Sequence, residues 1–122
     1  MKYISVKIDG IPYSRSKTKG NISAPPKWSD DVIRQTRNLP RISHACIMRI
    51  TFLLPLDKYQ TDFPYGPDLD NLAKRFLDAL SKTIFSESKG KDSCVIEMNI
   101  LKTQVDSENE SGALLEILPI KM

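Results

Sequence analysis

Gly66-Pro67-Asp68-Leu69-Asp70-Asn71-Leu72-Ala73-Lys74 is the stretch from which the fold can be read. Gly-Pro breaks whatever precedes it, and an apolar periodicity begins at once behind the break. At about 100° per residue, Leu69, Leu72, Ala73, Phe76, Leu80 and Ile84 fall on one side of a helix. The spacing predicts a helix over 68–84. A helix with one apolar side must bury it against another layer. Burial of that stripe holds the helix rigid and carries Asp70, Lys74 and Asp78, spaced i, i+4 and i+8, on a separate side.

The flanking segments supply the layer. Upstream, the run from Ala45 to Leu54 is nearly all apolar, which predicts a central strand covered on both faces. Downstream, 94–101 reads as a strand with Cys94, Ile96, Met98 and Ile100 on one face. A polar, acidic stretch over 105–112 then reads as a hairpin-like turn into a last strand over 113–120, where Pro119 marks a sheet edge or a strand end. Near the N-terminus, 2–8 alternates, with Ile4, Val6 and Ile8 pointing one way. Between these strands, 27–39 reads as a short surface helix capped by Ser29 and stopped by Pro40. The expected fold is α+β, a small mixed β-sheet with two main helices packed on it in the order β-α-β-α-β-β. It forms a single domain over residues 1–122.

Asp68 and Asp70 admit two readings. Asp68 is a good N-cap, Asp70 suits the first helical turn, and Asp70 with Lys74 makes an ordinary i, i+4 ion pair. Alternatively, Asp68 and Asp70 join a third acid, Asp92, at the mouth of the next strand. Three neighbouring carboxylates repel one another, and a hard divalent cation such as Mg²⁺ relieves that repulsion. Such a site hydrolyses phosphodiesters, and Lys74 is placed to stabilise charge on the phosphoryl oxygens.

Charge distribution leans toward a polyanionic partner. The net charge is only +3, but residues 1–50 hold ten Lys/Arg against three Asp/Glu, while residues 51–122 hold eight against twelve. Within the front half, Ser14-Arg15-Ser16-Lys17-Thr18-Lys19-Gly20-Asn21 has cations and hydroxyls but no apolar residues to fold it onto a core. Arg15, Lys17 and Lys19 are the candidate phosphate contacts. Cys46 and Cys94 sit in apolar runs and read as buried thiols rather than a disulfide or metal pair. His44 receives no role. With no long apolar run and no signal-peptide core, the chain reads as cytoplasmic and not membrane-spanning.

The run Asp68-Leu69-Asp70-Asn71-Leu72, then Lys74, then Leu77-Asp78-Ala79-Leu80 with Lys82, and later Asp92 with Val95, resembles the RusA family of Holliday junction resolvases. The resemblance is carried by about residues 66–96. It implies a small α+β homodimer that binds four-way DNA junctions in recombination and repair. Such a protein nicks two opposing strands symmetrically with Mg²⁺ or Mn²⁺. Position by position it implies Asp68, Asp70 and Asp92 as the essential metal-binding acids and Lys74 as the functional lysine. The family often has an acidic pair before the third strand; here Lys91 precedes Asp92. The alternatives are a non-catalytic nucleic-acid-binding module with the same fold, and an interaction protein whose acids are only caps and ion pairs.

Overall fold

The elements follow the expected β-α-β-α-β-β order, but their arrangement in the sheet does not follow chain order. The computed structural model describes residues 3–13, 24–57 and 67–120; Gly66 and the basic loop with Arg15, Lys17 and Lys19 lie outside the described residues. The elements are β1 (Ile4–Asp9), α1 (Ala24–Thr36), β2 (Cys46–Pro55), α2 (Leu69–Leu80), β3 (Val95–Val105) and β4 (Gly112–Pro119), with 3₁₀ turns at Lys91–Cys94 and Glu108–Glu110. The sheet order is β1-β4-β2-β3. β4 pairs antiparallel with both β1 and β2, and β2 pairs parallel with β3.

The core lies between one face of this sheet and the two helices. Alternate residues of β2 (Cys46, Met48, Ile50, Phe52 and Leu54) are buried, as are Ala113, Leu115 and Ile117 of β4. From the helices come Trp28 and Val32 of α1 and Leu72, Phe76, Ala79 and Leu80 of α2. Phe76 sits where the two helices and the sheet meet. Its ring stacks on Trp28 with centroids 6.1 Å apart and meets the Phe52 ring edge-on at 5.6 Å.

Several expectations are corrected. Helix α1 starts at Ala24, so Pro25 and Pro26 stand in its first turn, and Ser29 is an internal residue rather than the cap. Proline is tolerated there because the first turn's N–H groups have no intrahelical partners. Nor is α1 a mere surface helix: Trp28 and Val32 are fully buried. Gly10 makes room for that indole, since a Cβ at its φ of +138° would come within 2.9 Å of the Trp28 ring. Helix α2 ends at Leu80, and 81–88 continues as successive turns, with Thr83 N–H donating to Leu80 O at 3.1 Å and Ser86 N–H to Thr83 O at 3.1 Å. Ile84 and Phe85 are still fully buried in those turns.

The strands differ too. β3 and β4 form no hairpin, because β4 is inserted between β1 and β2. Turn-forming composition marks where a chain leaves a strand, not which neighbour the next strand joins. β4 is therefore central and Pro119 marks its end, beside Cys46. β3 begins with a bulge: Cys46 aligns with Val95 but Ile47 with Glu97. Ile96 is the extra residue and is exposed, and Cys94 belongs to the preceding 3₁₀ turn. β2 is covered on one face only. Its other face, with Arg49 and Thr51, is not closed over.

Where the turns after α2 meet the end of α1, two buried hydroxyls pair. Thr36 Oγ1 donates to Val32 O at 2.7 Å, which uses its one proton, so the 2.7 Å bond to Thr83 has Thr83 as donor. Both cysteines are free, as expected, with Cys46 buried and Cys94 half-buried. Burial, reinforced by the charge and hydrogen bonding of Cys94, pushes the Cys46 thiol up to about 12. A free thiol titrates near 8.5, so Cys46 carries on the order of a thousandfold less thiolate at neutral pH. Iodoacetamide at pH 8 is therefore expected to alkylate Cys94 and leave Cys46 unmodified in the folded protein. Equal rates by mass spectrometry would show that Cys46 is not sealed.

Candidate active site at the start of helix α2

Pro67 and Asp68 turn the chain into α2. Asp68 occupies the N-cap position with φ −60° and ψ 140°, and its carbonyl accepts the Leu72 N–H at 3.1 Å. Its carboxylate makes no capping hydrogen bond. Asp70 stands exposed in the first turn, where its Oδ1 accepts the N–H of Asn71 at 3.0 Å. Among the described residues the ion pairs are Lys7–Asp9, Lys27–Asp31, Arg34–Asp31 and Arg49–Glu116, and none includes Asp68, Asp70, Lys74 or Asp92. The i, i+4 pair expected between Asp70 and Lys74 does not form. Both carboxylates thus sit at the positive end of the helix dipole with no ion pair to a cationic side chain among the described residues.

Asp92 lies in the 3₁₀ turn that leads into β3, and this turn packs beside α2. Lys91, just before it, has φ +53°, in the left-handed region that a non-glycine residue rarely adopts. Its Nζ donates to Ser86 O at 3.0 Å, tying the turn to the segment behind α2. Asp92 is half-buried, whereas Asp68 and Asp70 are exposed. Among the described residues no three His, Cys, Asp or Glu side chains are gathered as a metal-holding group. Asp68 and Asp70 therefore share one helix start, while Asp92 is on the adjoining turn and is not drawn into a cluster with them. Two exposed carboxylates with no ion pair among the described residues fit a hard cation that takes one or two carboxylates and keeps several waters.

Lys74 is exposed one turn further on. It lines a groove of about 290 Å³ between the helices together with Asn71, Arg75 and Asp78 of α2, Lys82 of the turn that follows it, and Ser29 of α1. The guanidinium of Arg75 crosses this groove floor, donating from Nη1 to Ser29 Oγ at 3.1 Å. Lys102 of β3 reaches under the start of α2, and its Nζ donates to Pro67 O at 2.7 Å. That bond places an ammonium group one residue from Asp68 and clamps the backbone that aims it. Sequence reasoning missed both Arg75 and Lys102. Each reads locally as ordinary surface charge, and each partner lies in a different element.

The segment 26–115 matches the family model described as Endodeoxyribonuclease RusA. The chain belongs to the RusA endodeoxyribonuclease family. The matched segment takes in most of α1, then β2, α2 and β3, and the first half of β4. Asp68, Asp70, Lys74, Asp92 and Lys102 of this RusA-family chain all fall inside it, whereas Arg15, Lys17 and Lys19 precede it. No curated protein matches the chain. Among the described residues no helix of this RusA-family protein is long and apolar enough to cross a membrane.

Proposed function

We propose that the chain is a divalent-metal-dependent, structure-selective endodeoxyribonuclease that resolves Holliday junctions by paired symmetric nicks. The observation that carries this reading is a family match that includes a helix start where Asp68 makes no side-chain capping bond and neither Asp68 nor Asp70 is ion-paired among the described residues. Asp68 and Asp70 would hold Mg²⁺, with Mn²⁺ as the second candidate, and Asp92, which stands apart on the adjoining turn, would be the third acid of the site. A bound divalent cation supplies polarisation of the phosphodiester and a more acidic water.

The chain's own residues do the rest. Asp70 is fixed by α2, whose buried stripe leaves it no freedom to swing with a loop. Lys74, on the same rigid helix, offers an ammonium group to the phosphoryl oxygens, where negative charge grows during hydrolysis. Lys102 positions Asp68 through the Pro67 carbonyl. Arg15, Lys17 and Lys19 hold backbone phosphates and set the register of the DNA without reading bases. A homodimer brings two such sites to the two opposing strands of one four-way junction, matching protein symmetry to substrate symmetry.

The test is incubation of the full chain with a synthetic four-way junction in Mg²⁺, with a chelator control. Symmetric nicks in opposing strands are expected, and none with chelator. Junction binding without nicking in either Mg²⁺ or Mn²⁺ would reduce the chain to a binding module.

A further inference from the structure

The groove between the helices holds more positive charge than the chemistry at the acids uses. Lys74, Arg75 and Lys82 line it, and Asp78 is the carboxylate among its described lining residues. None of these four is ion-paired among the described residues. Lys74 serves the reacting phosphoryl group, which leaves Arg75 and Lys82 without a task. Arg75 is held in place rather than neutralised. Its Nη1 donates to the Ser29 hydroxyl at 3.1 Å, which takes up one donor and none of the charge. Its Nε is buried with no hydrogen-bond partner among the described residues. A covered, half-satisfied guanidinium costs folding energy that an arriving anion offsets.

We infer that this groove is a second phosphate seat, in which Arg75 and Lys82 hold a backbone phosphate of the cut strand beyond the one at Asp70 and Lys74. The inference rests on the nuclease reading, which brings that strand across the start of α2. The groove begins at Asn71, the residue after Asp70, and continues along α2 to Lys82. At about 1.5 Å of rise per residue, Arg75 stands about 8 Å and Lys82 about 18 Å along the axis from Asp70. Stacked nucleotides advance about 3.4 Å each, so a strand following α2 brings a phosphate about two to five nucleotides away into the groove. Asn71 and Ser29 add an amide and a hydroxyl, uncharged groups that also bind phosphate oxygens. Asp78 cancels one of the three positive charges, and the surplus still favours an anion. A phosphate seated here fixes the strand on one side of the scissile bond, so that the reacting phosphate cannot slide past Asp70.

Binding of the full chain to a synthetic four-way junction in Ca²⁺, measured over a range of salt concentrations, tests this. Lys82→Gln is expected to lower the slope of log affinity against log salt by about one, the signature of one lost phosphate contact. Its side chain is exposed, so its thermal melt should match wild type. Arg75→Gln, which keeps a donor for Ser29 and loses the charge, is expected to lower the slope likewise; should it fail to fold, Lys82→Gln decides alone. The second arm replaces the junction phosphates one at a time, near the branch point, with uncharged methylphosphonates. At one position the replacement is expected to weaken wild-type binding several-fold and to leave the Lys82→Gln protein unaffected. An unchanged salt slope overturns the seat. So does a lowered slope with no such position, because the charges then act as a diffuse field. A protein that nicks junctions in Mg²⁺ but shows no such position loses the seat and keeps the nuclease reading. A protein that shows the position and never nicks does the reverse, and one that binds no junction loses both.

Discussion

Asp70→Asn is expected to abolish junction nicking, by about a hundredfold to a thousandfold or more, while junction affinity and thermal stability stay near wild type. The side chain is exposed and makes no ion pair among the described residues, so the fold does not depend on its charge. Asparagine has the same shape and keeps an oxygen to accept the Asn71 N–H. What it loses is one negative charge at the start of α2. A cation held there would lose a hard ligand, and the repulsion of DNA phosphates by the acids would fall. Binding should therefore hold or tighten slightly as cleavage disappears. Single-turnover nicking, junction affinity with Ca²⁺ in place of Mg²⁺, and a thermal melt separate the effects. Full activity in the variant would remove Asp70 from the mechanism. A melting temperature lowered by several degrees would assign it to helix stability instead.

Phe76→Ala has the largest expected effect on stability, a loss of about 3–5 kcal/mol. The ring is fully buried, and it touches Trp28 of α1 and Phe52 of β2, so its removal opens a void where the helices and the sheet meet. Domains of this size are stable by only about 5–15 kcal/mol in total. The variant should thus lie near or below the folding threshold at 37 °C, and nicking should vanish with it, because α2 is the element that carries Asp70 and Lys74. Urea unfolding followed by Trp28 fluorescence reads the change. A loss under about 1 kcal/mol would mean that neighbouring side chains collapse into the space and that Phe76 is not the keystone.

Parts of this molecule were legible before any tertiary contact was known because they are periodic. The stripe Leu72, Ala73, Phe76, Leu80 announces α2 through the 3.6-residue repeat, and all four are buried. β1 alternates as expected, burying Ile4 and Ile8. The acid pair with its following lysine was also legible, since a local run of residue types carries the family's wording and the match extends from 26 to 115. Other features misled for equally local reasons. Pro25 and Pro26 look like breakers, yet they open α1. The run of β2 looks covered on both faces because Ile47 and Leu53 are apolar, yet they point to the open face.

The amino-acid sequence by itself thus determined the elements, their order, and the place of two carboxylates at the head of an amphipathic helix, because each depends on residues within a few positions of one another. Only the tertiary structure decided which strand lies beside which, that β4 divides β1 from β2, and that leucines line an open face. It alone joined Arg75 to Ser29 across 46 residues and Lys102 to Pro67 across 35. Pairing and clamping of that kind are settled by where a hydrogen-bonding group finds a partner once water is excluded, and that partner has no fixed distance along the chain.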